Sequence, residues 1–156
     1  MRPKALSDVA RPKHIKSHPK IPSLNKRNND VTSDDDPLYN CVAFAAGVTN
    51  RKWWPVFHPD FYWPPSAPKI NSIMSFVTAF STLGYAECDD GAVEAGFEKI
   101  AFYVRDGQPT HAARQLETGK WKSKLGDWYD IEHTENAVSS GDYGRIAKYM
   151  RRPRRG

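Results

Sequence analysis

Two residues of this sequence, Cys41 and His111, have the types needed for covalent acyl chemistry. A cysteine attacks as its thiolate, and a free thiol is mostly protonated near neutral pH. A helix N-terminus lowers the thiol pKa through its unpaired N–H groups, and a neighbouring imidazole does so by taking the proton. Cys41 stands where the first condition is met. It follows Asn40, a good N-cap, and heads the apolar run Cys41-Val42-Ala43-Phe44-Ala45-Ala46 before Gly47. His111 opens an apolar stretch after Gln108-Pro109-Thr110 and is the candidate base.

A third polar group usually orients the imidazole. Ser123 is the first candidate, and Asp130 or Glu132 are charged alternatives, with a solvated surface as the plainer reading of both acids. The Cys41 backbone N–H would hold the oxyanion with one further donor. His14, His18, His58 and His133 are weaker bases, lying in a basic N-terminal stretch, a proline-rich stretch and an acidic stretch. Against all this, a lone cysteine is more often a small buried hydrophobe.

The elements that must position these groups follow from pattern. Residues 1–36 carry scattered Pro, Lys, Asn and Asp with little apolar periodicity and read as a disordered or loosely attached basic arm. The single domain is expected over 37–152, with 153–156 as a basic tail. A short buried helix over 41–46 comes first. Residues 51–68 hold Trp53, Trp54, Phe57, Phe61, Tyr62 and Trp63 among five prolines, too many for a regular element. That loop either staples the core or forms one wall of a cleft, in which case Trp53, Trp54, Tyr62 and Trp63 would contact substrate. Ile73, Phe76, Val77, Phe80 and Leu83 recur at helical spacing, predicting a helix over 70–83 that Gly84 ends. Strands are expected over 96–104, 110–116, 120–125 and 143–150, with turns at Asp106-Gly107 and Thr118-Gly119. Helices first and antiparallel strands after make an α+β arrangement.

Composition narrows the class. The chain has 156 residues, 39% of them hydrophobic, a formal charge of +5 and only two cysteines, Cys41 and Cys88. Two cysteines make neither a disulfide scaffold nor a paired zinc motif, so no metal or other cofactor is expected. No apolar run reaches the ~18 residues of a membrane span. Met1-Arg2-Pro3-Lys4 is no secretory leader, and a cytoplasmic location is the expectation. Much of the positive charge lies in the first thirty residues and in Arg151-Arg152-Pro153-Arg154-Arg155, which suggests at most weak, sequence-independent contact with polyanions.

The strings Tyr39-Asn40-Cys41-Val42-Ala43-Phe44-Ala45-Ala46-Gly47, Trp53-Trp54-Pro55, Thr110-His111-Ala112-Ala113-Arg114-Gln115-Leu116, Trp121-Lys122-Ser123-Lys124-Leu125-Gly126 and Asp130-Ile131-Glu132-His133 are similar to those of an uncharacterised, mainly bacterial domain family. That family in turn resembles the NlpC-type branch of papain-fold cysteine peptidases. The resemblance implies a papain-like α+β fold with N-terminal helices packed on an antiparallel sheet. It also implies Cys41, His111 and Ser123 as nucleophile, base and orienter. The expected activity is that of a cofactor-free cysteine hydrolase or acyltransferase on a peptide-like or other acyl substrate. The alternative is a catalytically silent binding module for a protein or peptide. Asn40-Cys41-Val42-Ala43 replaces the usual Asp-Cys-Ser-Gly, and Ser123 stands where the family more often has His, Asn, Gln or an acid.

Overall fold

The computed structural model describes residues 11–154. Its main feature is one seven-stranded, wholly antiparallel sheet. The strands in chain order are β1 (Asn29–Val31), β4 (Ala86–Cys88), β5 (Phe97–Arg105), β6 (Gln108–Gln115), β7 (Trp121–Lys124), β8 (Asp130–His133) and β9 (Arg145–Pro153). They lie side by side as β1-β8-β7-β6-β5-β9-β4. Two further strands, β2 (Lys52–Trp53) and β3 (Phe61–Tyr62), form a separate parallel pair. The helices are α1 (Cys41–Ala45) and α2 (Ile73–Ser81), and a 3-10 turn spans Gly141–Tyr143.

Both faces of the sheet are covered. Alternate side chains of one strand point to opposite faces, so the run Ile100-Ala101-Phe102-Tyr103 of β5 serves two cores. Ile100, Phe102, Ala112 and Met150 pack against Val42, Phe44, Phe76 and Phe80 of the two helices. Ala101, Tyr103, Ala113, Trp121 and Ile131 face the other way, under Ile15, Ile21, Leu24, Ala137 and Val138. This two-sided burial explains why the central strands read as nearly continuous apolar runs. The β5–β6 hairpin closes at Asp106-Gly107, whose φ values of 52° and 78° are those a two-residue antiparallel turn requires.

The strands over 97–105, 108–115, 121–124 and 145–153 and the helices over 41–45 and 73–81 stand close to their expected places. The fold class does not. A papain-like α+β fold with leading helices is overturned by a sheet that dominates the chain, begins before either helix, and is accompanied by helices of five and nine residues. Gly47, at φ 82°, stops α1 after little more than one turn, and the prolines that follow prevent its renewal.

The arm boundary also differs over its described part. Residues 11–31 run across one sheet face, burying Ile15, Ile21 and Leu24, and end in β1 as an edge strand. Asn29 pins this segment, accepting from Ile15 N (2.8 Å) and donating to the Ile15 carbonyl (3.0 Å). Residues 1–10 of the expected arm, and 155–156 of the tail, lie outside the described residues. The described arginines of the basic C-terminal run are paired: Arg151 meets Glu94, Arg152 meets Glu98 at 2.5 Å, and Arg154 meets Glu117 at 3.5 Å. Among the described residues no helix is long and apolar enough to cross a membrane.

Candidate active site

Asn40 builds the first part of the site. Its side-chain oxygen caps α1 by accepting from Ala43 N (3.1 Å) and also accepts from Trp53 N (3.0 Å), while its amide donates to the Trp53 carbonyl (2.8 Å). One side chain thus fixes both the start of α1 and the β2 strand beside it. Cys41 is the first helical residue, as its position after the cap predicts.

The Cys41 sulfur lies against β6. Backbone N–H groups of Ala112, Val42 and Cys41 itself face it, and the Lys124 ammonium adds a positive field. All of these favour the thiolate. Burial outweighs them: Cys41 is only 7% exposed, and desolvation pushes its pKa up to about 11. In this conformation the thiol is protonated and covered.

The β6–β7 ladder is short beside this sulfur. It pairs only Arg114 with Lys122 and Gln115 with Trp121, so the strands are unpaired next to Ala112. The Ala112 N–H is therefore free to face the Cys41 sulfur instead of a β7 carbonyl.

His111 is wholly buried, and its strand partner across the sheet is Tyr103. It projects on the face of Tyr103, the face opposite to that on which Ala112 meets the helices. Its Nε2 is 2.9 Å from Ser123 Oγ, and Ser123 Oγ is 2.7 Å from His133 Nε2. All three side chains are buried. Tyr143 lies flat against His111, and Tyr103 meets it edge-on. Burial, then the neighbouring His133, holds His111 well below the ordinary histidine pKa. Burial brings His133 down to about 4. His111 Nδ1 has no hydrogen-bond partner.

The structure thus joins His111 to Ser123 directly. It sets Cys41 beside the residue that follows His111, with no hydrogen bond from the sulfur to the imidazole. Cys41 also acts on Tyr143, whose pKa is raised by burial first and by the Cys41 charge second. Tyr143 packs on His111, whereas Cys41 belongs to the core on the helix side of the sheet.

The charged alternatives fall elsewhere. Asp130 is buried and accepts from the Tyr39 hydroxyl at 2.8 Å, rather than from an imidazole. Glu132 is half-buried and alternates away from His133 along β8. Of the aromatic residues, Trp53 and Trp63 are core. Trp63 packs on Phe76 with centroids 5.0 Å apart, and its indole N–H donates to Ser75 Oγ (3.0 Å). Trp54 and Tyr62 are half-buried against the same core. Trp54 also borders an open groove of about 420 Å³ shared with Asn71, Thr110 and Asp142, and Thr110 adjoins His111 in the chain.

His133 and Tyr143 are the site residues that pattern reasoning passed over. A signal for His133 existed: Ile131 and His133 alternate on β8 as Trp121 and Ser123 do on β7, so one register puts both polar groups on the same buried face. Among the described residues no cluster of three His, Cys, Asp or Glu side chains is placed to hold a metal ion.

Residues 30–151 match the family described as a domain of unknown function (DUF7689), and the chain belongs to that family. No curated protein matches the chain. No solved structure matches it.

Proposed function

For this member of the family, we propose a cysteine-dependent hydrolase or acyltransferase that works through a thioester on Cys41. The observation that supports it best is the buried His111–Ser123 pair, which leaves His111 Nδ1 without a partner next to the residue whose N–H faces the Cys41 sulfur. The order of Cys41, His111 and Ser123 resembles that of NlpC-type cysteine peptidases. The reading rests on these side chains and on no shared fold.

In the proposed reaction a substrate-bound rearrangement must first bring His111 Nδ1, which projects on the face opposite the helices, within reach of Cys41. The Cys41 proton then passes to it, and the thiolate attacks the acyl carbon. The C=O electron pair moves onto oxygen, which the Cys41 and Ala112 N–H groups, now facing the sulfur, would stabilise. Collapse of the intermediate breaks the bond to the leaving amine or alcohol, which takes the proton from His111. Water, or an acceptor amine, then gives its proton to His111 and attacks the thioester. Release of the acyl product returns the proton to sulfur. The open groove beside Trp54 and Thr110, the residue before His111, is the surface proposed for a peptide-like substrate. The covered sulfur requires a substrate-bound conformation that uncovers it.

One observation favours the second reading, a catalytically silent binding module. Burial raises the Cys41 pKa, as it does for a core thiol. Incubation of the Cys88→Ser protein with a series of activated acyl esters, followed by intact-mass analysis, separates the two. An acyl adduct on Cys41 that disappears in the His111→Ala protein supports the hydrolase. A complete absence of adduct in the folded protein, with ready alkylation of Cys41 after unfolding, overturns it.

A further inference from the structure

Ser123 stands between two imidazoles, and the groups around it admit one self-consistent placement of protons. His133 Nδ1 lies 2.7 Å from the Thr134 carbonyl. A carbonyl only accepts, so the His133 proton is on Nδ1. Burial keeps that ring uncharged at neutral pH, so its Nε2 carries a lone pair and accepts. The group 2.7 Å away is the Ser123 hydroxyl, whose single proton is therefore directed at His133. Ser123 Oγ then offers only a lone pair to His111 Nε2 at 2.9 Å, and His111 must donate to it. A neutral imidazole with its proton on Nε2 has a bare Nδ1, which here is buried and unpartnered.

We infer that His133 is a positioning residue which acts through Ser123 to hold His111 as the Nε2–H tautomer, presenting Nδ1 as the proton-accepting atom. The purpose of that atom rests on the proposed hydrolase reading. The tautomer itself is a property of the resting protein. A serine hydroxyl alone is an indifferent orienter, since it donates and accepts equally well. With its proton committed to His133 it becomes an acceptor only, which is the role a carboxylate plays in other triads. Tyr143, stacked face to face on His111 with centroids 3.9 Å apart, blocks rotation of the ring out of this arrangement.

Long-range proton–nitrogen correlation spectra of the 15N-labelled full chain at pH 7 test this directly. Signals are assigned with the His111→Gln and His133→Gln proteins. The expected pattern is His111 protonated on Nε2 and His133 protonated on Nδ1. In the His133→Phe protein the His111 Nδ1 resonance should move from its unprotonated position toward the protonated one. In the His133→Gln protein, whose amide can donate to Thr134 and accept from Ser123, it should stay. Finding His111 as the Nδ1–H tautomer, or unchanged by His133→Phe, overturns the inference. The ester assay on the same samples keeps the two claims apart. The expected tautomers without any Cys41 adduct sink the hydrolase and leave the role of His133 standing. An adduct with the opposite tautomer sinks only the role of His133.

Discussion

Tyr143 lies parallel to the His111 imidazole, with ring centroids 3.9 Å apart and planes within 9°. Aromatic stacking of this kind adds modest energy, but it fixes a plane. Tyr143 is itself held from behind: Thr110 Oγ1 donates to the Tyr143 carbonyl at 2.6 Å, and Gly144 turns the chain immediately after it. The imidazole is thus clamped by a ring on its face and a hydroxyl at its edge.

Gly144→Ala should release that clamp. Gly144 sits at φ 73°, and a Cβ there would collide with the Val104 carbonyl oxygen. Such a left-handed, sterically closed position disfavours any side chain by about 1–3 kcal/mol. The expected result is a lower urea midpoint together with broadening of the His111 ring resonances, both read on the purified protein.

Acid should destabilise the protein well above the carboxylate range. His133 has a folded pKa of about 4 against an ordinary 6.5, and His111 is also depressed. The unfolded chain therefore binds more protons in that window, and stability is lost as pH falls through it. For His133 alone the loss amounts to about 3 kcal/mol. Urea midpoints at pH 7, 5.5 and 4.5 should fall steeply for the parent and more gently for His133→Gln. Parallel curves would contradict the burial of this ring.

Alkali acts through Cys41 with the opposite sign. Its pKa is raised from 9.0 to about 11, so the folded state keeps a proton that the unfolded state has lost. Stability is fully present below pH 9 and declines between the two values, by about 3 kcal/mol in total. The Cys41→Ala protein should show a shallower decline over that window, by the difference in urea midpoints.

Asn40→Ala should be costly for a surface-adjacent polar change. It removes an N-cap, worth about 1 kcal/mol, and two bonds to the Trp53 backbone, each contributing about 1 kcal/mol. A loss of about 2–3 kcal/mol in chemical denaturation is expected. Because Cys41 follows the cap, its alkylation rate should rise as α1 frays.

Those local signals are the ones that pattern reasoning reads well. Asn40 before an apolar run and Gly47 after it locate α1, and the spacing of Phe76, Val77 and Phe80 locates α2. The apolar stretches of β5, β6 and β7 are equally legible. Strand β1 is not, because Asn29-Asp30-Val31 has no apolar alternation and becomes a strand only through the Asn29 bonds to Ile15 and its pairing with β8. The overall class fails for a related reason. Local pattern finds elements but not their share of the core, and a five-residue α1 cannot carry the weight that its apolar composition suggests. In the site, Cys41, His111 and Ser123 could be named from type and order. His133 could not be joined to them without the register that sets Trp121 opposite His133 and Ser123 opposite Ile131.

The pairing of β1 with β8 reaches beyond the site. The matched family begins at residue 30, inside β1, whereas Ile15, Ile21 and Leu24 upstream of that point cover the sheet. A fragment cut at the match would lose the strand's first residue and strip the lid from Ile131 and Trp121. The bared margin of β8 would then be a template for another chain, and such a fragment should self-associate where the longer protein stays dispersed. The limits of recognisable sequence and the limits of the folding unit are different places in this protein.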